Sequence, residues 1–250
     1  HIGRRSVPSF SDSVSFSVKA QDSNPYSVEF KPDGTKMYII GYSNDRAYQY
    51  TLSTPFDLST ASYDSVSFSL SSEDAAPSGI TFKTDGTKMY IVGGGGDRVY
   101  QYTLSTPWNI STATYDFVGP SISGQETSAQ DVVFTPDGSK MYIVGWNSDT
   151  VYEYDLSTPW NLNTLTYNNV SFSVASQSAN PMGLVFSSNG TKLLILDVSG
   201  NVFRYSTEGA AFTPTFTYPA SVEWLDASAP SDPADGEVLS LQFFTTDGGT

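Results

Sequence analysis

Two carboxylates are the residues of this chain best placed to do chemistry. Glu29 lies in the segment Val28–Phe30, and Asp131 stands just before the matching segment Val132–Phe134. Glu29 aligns with Val133 when the two segments are superposed. Side chains two apart on a strand share a face, so Asp131 lies on the face of Val133 and hence of Glu29. If these segments oppose each other across an axis, the acids face one another. Such a pair can run glycoside hydrolysis, one acid giving a proton and the other acting as base or nucleophile. Acidic pairs are also common as solvated structural features. The expectation from sequence is therefore that the protein is not an enzyme, with Glu29 and Asp131 as its only catalytic candidates.

Other reactive constellations are excluded by composition. The 250 residues contain no cysteine and a single histidine, His1. That removes thiol nucleophiles, disulfides and Cys- or His-based zinc and copper sites. Gly93–Asp97 (GGGGD) lacks the Gly-Lys-Ser/Thr ending of a phosphate loop and joins two strands. Asp45, Asp97 and Asp149 recur in one turn and could bind calcium, although an Asp there commonly bonds to its own turn. No cofactor is expected. Asn109, Asn169 and Asn189 fit a glycosylation triplet that a Ser/Thr-rich chain produces by chance.

The net charge of −14 opposes binding to nucleic acid or anionic membranes. No apolar run is long enough to span a membrane. Hydrophobic residues make up 38% and aromatics 14%, enough for a packed core, whereas only 15% are charged. The start at His1 and the abrupt end suggest part of a longer polypeptide.

The elements that must position these residues follow from a repeat. Asp33, Asp85, Asp137 and Asn189 are each 52 residues apart, and each sits in a near-copy of one pattern. A fixed period near 50 points to a solenoid, propeller or array. Each copy holds four alternating segments. Strand A is Val28–Phe30 and its repeats; an Asp-Gly or Asn-Gly turn follows, which is a hairpin signal. Strand B is Met37–Ile40, and strand C is Ala47–Leu52. A Ser-Thr-Pro-aromatic loop leads to strand D, as in Asp64–Leu70 and Asn168–Val174. A looser version, Asp116–Ile122, predicts a bulge at Gly119-Pro120. Asp12–Val18 reads as a further strand D ahead of the first copy. The fold class is all-β, a propeller of four-stranded antiparallel blades. Four blades are the simplest count and five are possible. The boundaries are a lead-in over 1–11, the propeller over 12–224, and an extension or degenerate half blade over 225–250. Tyr218–Trp224 is the candidate end strand that completes the last blade.

The strand, Pro-Asp-Gly turn and Lys-Met-Tyr-Ile-Val strand resemble the YVTN and WD40-like propeller families over roughly residues 12–218. The C-terminal block, Tyr218–Trp224 through Phe244–Thr250, resembles the end of bacteriophage tail-fibre and related virion proteins. That resemblance implies a virion or extracellular component in an oligomeric assembly with other tail proteins.

Comparison of the copies gives one more expectation. The A–B turn and C–D loop barely vary, whereas the D–A and B–C loops vary greatly. In an antiparallel blade the variable loops share one rim, and recognition sits on such loops. The binding candidates are Asp22, Asn24, Tyr42, Asp45, Glu73, Asp74, Asp97, Glu126, Trp146, Asp149 and Gln177. The expected function is a non-enzymatic tail-fibre or adhesion propeller whose rim contacts host-surface glycan or protein. A secreted bacterial adhesion propeller and a propeller glycosidase or lactonase are the alternatives.

Overall fold

A computed structural model describes residues 14–187 and 190–207. The lead-in over 1–11, Asn189, the end strand Tyr218–Trp224, the extension over 225–250 and the tail-fibre resemblance all fall outside the described residues.

Among the described residues, fifteen strands form four antiparallel sheets in a propeller arrangement. Blade 1 runs β1 (Pro25–Phe30), β2 (Lys36–Gly41), β3 (Arg46–Leu52) and β4 (Ala61–Ser69). Blade 2 runs β5 (Pro77–Phe82), β6 (Lys88–Gly93), β7 (Arg98–Leu104) and β8 (Ala113–Val118). Blade 3 runs β9 (Ala129–Phe134), β10 (Lys140–Gly145), β11 (Thr150–Leu156) and β12 (Leu165–Ser173). Blade 4 contributes β13 (Pro181–Phe186), β14 (Lys192–Asp197) and β15 (Val202–Ser206) among the described residues. Neighbours in sequence are neighbours in each sheet, as tight turns dictate.

The invariant loop pair has a steric cause. Gly86 adopts φ +71°, which favours glycine, and a Cβ there would meet the Trp108 indole at 2.3 Å. Trp108 lies over that turn with its own φ at 63°, held by its N–H donating to the Gly86 carbonyl at 3.0 Å. Gly34 with Phe56 and Gly138 with Trp160 repeat the arrangement. The aromatic of the C–D loop therefore needs the glycine of the A–B turn.

The bulge lies elsewhere than the sequence predicts. Register shifts between Gln49 and Tyr50, Gln101 and Tyr102, and Glu153 and Tyr154. The extra residues lie at the start of strand D, where Ser65 and Asn169 have positive φ. Strand β8 instead ends at Val118, and the Gly119 N–H donates to the Val99 carbonyl at 2.8 Å.

Blades join by one repeated joint. Three apolar clusters each span two consecutive blades. At each joint a strand-B tyrosine meets a phenylalanine of the next blade: Tyr38 with Phe82 at 4.5 Å, Tyr90 with Phe134 at 4.6 Å, Tyr142 with Phe186 at 4.8 Å. The Tyr38 hydroxyl donates to the Trp108 carbonyl at 2.5 Å, and the Tyr90 hydroxyl to the Trp160 carbonyl at 2.6 Å. Each large side chain so buried stabilises the fold by about 1.5–3 kcal/mol. Among the described residues, blades 1 and 4 do not make this joint with each other.

Candidate functional site

The first strands of the four blades, β1, β5, β9 and β13, surround a cavity of about 350 Å³. Glu29 of blade 1 and Asp131 of blade 3 both line it, as their shared face predicts. Alternation along each first strand leaves one set of side chains for the joints and the other for the axis.

Asp131 is fixed by its neighbours. One carboxylate oxygen accepts the Val132 N–H at 2.9 Å, and the other accepts the Leu184 N–H of blade 4, also at 2.9 Å. Gly79 of blade 2 clears the space, because a Cβ there would approach the Asp131 Cα and Oδ1 to 2.9 Å. Burial raises the Asp131 carboxyl to about 7, against the lowering effect of the two N–H donors. Glu29 is raised to about 8, first by burial and then by the charge of Asp131, with a hydrogen bond to Thr81 opposing both. Near neutral pH the protonated form is therefore favoured more at Glu29 than at Asp131. That is an acid–base couple, and its two apparent values belong to the pair.

The cavity extends toward the uniform end of the blades. Pro32, Thr84 and Pro136 of the A–B turns line it, as do Trp108 and Trp160 of the C–D loops. At the variable end an aromatic row crosses from blade 1 to blade 3. Tyr42 stacks on Tyr26 at 4.7 Å with 17° between planes, and Tyr26 lies 6.2 Å from Trp146. Tyr42 and Trp146 are thus brought together, and Tyr26 is the member that sequence comparison missed. Its counterparts Ser78, Gln130 and Met182 differ in type, so no repeat marks it.

Three of the other rim candidates turn inward. Asp22, Asp74 and Glu126 are buried clamps between the D–A loop and the B–C turn of their own blade. Asp22 accepts N–H groups of Asn24 at 2.8 Å and Asn44 at 3.0 Å. Asp74 accepts those of Ala76 at 2.7 Å and Gly95 at 3.2 Å. Glu126 accepts those of Ser128 at 2.7 Å and Ser148 at 3.1 Å. Burial pushes the Asp74 carboxyl up. These acids satisfy turn backbone, a demand that buried N–H groups make wherever loops pack. Blade 4 exchanges the partners: Ser178 holds the clamp position and donates to Asp197, which stands where Gly41, Gly93 and Gly145 stand in other blades.

Asp45, Asp97 and Asp149 occupy the left-handed region, with φ of 48°, 50° and 47°. Their carbonyls accept the N–H groups of Leu70, Ile122 and Val174. They stand one per blade, and no three His, Cys, Asp or Glu side chains converge among the described residues. Gln177 accepts the Tyr205 hydroxyl at 3.3 Å, and Glu73 occupies the equivalent place above Tyr102. Asn24 is exposed, and its carbonyl accepts the Tyr42 N–H at 3.1 Å.

No family model matches the chain, and no curated protein matches it. Solved structures do share the fold. A proposed 6-phosphogluconolactonase from Bacteroides uniformis ATCC 8492 superposes with a TM-score of 0.52 at 16% identity, over 76% of this chain and 52% of that one. A second, from Bacteroides fragilis NCTC 9343, gives 0.51 at 16% identity over the same shares, 76% and 52%. A protein from Lactobacillus plantarum gives 0.52 at 15% identity, over 77% and 54%. This chain spans about half the length of these structures. At such identity the likeness shows a common fold, an all-β propeller with four blades here. It also corrects the expectation of a non-enzymatic tail-fibre or adhesion protein: two of these three fold neighbours carry a lactonase description, and the channel holds a split pair of acids.

Proposed function

We propose that the channel is a hydrolytic site for an uncharged sugar-derived ester, with lactones as the substrate class. The observation that carries this reading is the Glu29–Asp131 pair, raised to about 8 and about 7 at one cavity. The lactonase description of the two Bacteroides fold neighbours supports it.

The Asp131 carboxylate takes a proton from a water molecule whose oxygen attacks the ester carbonyl carbon. A tetrahedral oxyanion forms. As it collapses, the C–O bond to the ring oxygen breaks, and the Glu29 carboxyl donates its proton to that oxygen. The product is a hydroxy acid, and the proton on Asp131 passes to Glu29 or to water. General acid–base help of this kind contributes about 10²–10⁴-fold in rate. Among the described residues lining the cavity there is no Lys, Arg or His. Two acids and no cation disfavour a phosphorylated substrate, so the neutral lactone is favoured over its 6-phosphate.

The test is turnover of neutral aldonolactones, their 6-phosphates and aryl glycosides by the wild type, Glu29→Gln and Asp131→Asn. Neutral lactones should turn over, and each variant should lose about 100-fold or more in kcat. Turnover of the glycosides alone would replace the lactone reading. No turnover of any class, or rates unchanged in both variants, would overturn it.

A further inference from the structure

The three joints inside the chain define what each face of a blade is for. The face toward the preceding blade carries Ile80, Val132 and Leu184, none more than 4% exposed. The face toward the following blade carries Ile40, Val92 and Val144, all 0% exposed. At the two ends the matching positions lie open: Val28 is 54% exposed and Leu196 41%, and Val202, the counterpart of the buried Ala47, Val99 and Val151, is 61% exposed. Exposed apolar patches of this kind mark interaction surfaces.

Blade 1 is already partly fitted to receive a preceding blade. Phe16 meets Tyr50 edge-on at 5.7 Å, just as Phe68 on the outer strand of blade 1 meets Tyr102 of blade 2 at 5.5 Å. Phe16 thus holds the place of an outer-strand residue from a blade ahead of blade 1. The inner part of that face, at Val28, remains open.

We infer that the open face of blade 4, at Leu196 and Val202, docks on the open face of blade 1, at Val28 and Phe30, of a second copy of this chain. The joint repeats the internal ones, with Leu194 against Phe30 where Tyr38 lies against Phe82. The propellers sharing the fold extend beyond the part this chain matches, which is about half of their length, so the fold accommodates blades beyond these four. Two head-to-tail joints related by a two-fold axis close the ring. Val28 and Phe30 also line the channel, so the joint forms part of its wall, but the masses and cross-links that test it do not depend on the hydrolytic reading.

Analytical ultracentrifugation of the 250-residue chain tests it. The expected species has twice the 27.1 kDa chain mass. Val28→Asp and Leu196→Asp should each give monomers with unchanged far-UV circular dichroism, because both side chains are exposed. The chain has no cysteine, so oxidising a mixture of Val28→Cys and Leu196→Cys chains should yield a mixed disulfide dimer absent from either alone. A monomeric wild type, or a dimer indifferent to both Asp variants, overturns the inference. So does a Val28→Cys/Leu196→Cys chain that cross-links within a monomer, which would mean that the ring closes on itself.

Discussion

The Asp131 carboxylate on blade 3 accepts the backbone N–H of Leu184 on blade 4 at 2.9 Å. A channel acid is thereby tied to the frame of the next blade, which fixes its direction without a partner cation. An oxygen held this way cannot swing to follow a substrate, so the substrate must come to it. Asp131→Asn keeps an acceptor oxygen but loses the base. Its kcat on neutral lactones should fall about 100-fold or more while KM changes little. A loss confined to KM in steady-state assays would assign Asp131 to binding.

The pH dependence follows from the same pair. Activity needs Asp131 ionised and Glu29 protonated, so kcat/KM should rise through about 7 and fall through about 8. The profile is a narrow bell, and its limbs report the couple jointly. In Glu29→Gln the alkaline limb should vanish from whatever activity remains. A pH–rate profile of both proteins checks this.

Stability should respond with a definite sign. Folding raises both acids above their ordinary values, so the folded state binds more protons. Stability is fully present near pH 4 and is lost as pH rises through about 8. Glu29→Gln removes much of that loss. It should be more stable than wild type by about 2 kcal/mol at pH 9, and show no such gain at pH 5. Urea titrations at the two pH values decide it.

A compensated exchange in blade 3 gives a double-mutant cycle. Gln49 pairs with Asp64 at 2.8 Å and Gln101 with Asp116 at 2.9 Å, whereas blade 3 has Glu153 with Asn168 at 2.7 Å. Acid and amide have traded sides, and Lys140 still meets an acid, Glu153, at 2.5 Å. Glu153→Gln alone should cost about 1–2 kcal/mol. Adding Asn168→Asp should recover most of it, as measured by thermal melts of the single and double variants.

The joints can be tested at Tyr90, whose buried hydroxyl donates to the Trp160 carbonyl at 2.6 Å. Tyr90→Phe leaves that carbonyl short of a donor and should cost about 1 kcal/mol. Trp160→Ala should cost about 3–5 kcal/mol, because it also empties the space over Gly138. Chemical denaturation of both variants gives the comparison.

The blade plan was legible because a 52-residue period and Asp-Gly turns write it directly into the chain. The shared face of Glu29 and Asp131 was legible too, since strand alternation fixes it. The raised pKa of each acid was not, because desolvation depends on walls from other blades. The inward turn of Asp22, Asp74 and Glu126 was not legible either. They sit in polar loops of differing sequence, and nothing in such a loop shows which carboxylate turns inward. The bulge was placed at Gly119-Pro120 by residue type, whereas Ser65 and Asn169 adopt the unusual backbone without glycine. The open faces at Val28 and Leu196 were invisible because their sequence matches that of buried counterparts.

At the two joints that carry it, the Tyr-to-Trp-carbonyl bond runs from one blade to its successor, so the molecule is fastened like a zip rather than knotted at a common centre. Amide protons in blades 2 and 3, gripped from both flanks, should exchange with solvent most slowly. Those in blades 1 and 4 should exchange first, and fraying should travel inward one unit at a time.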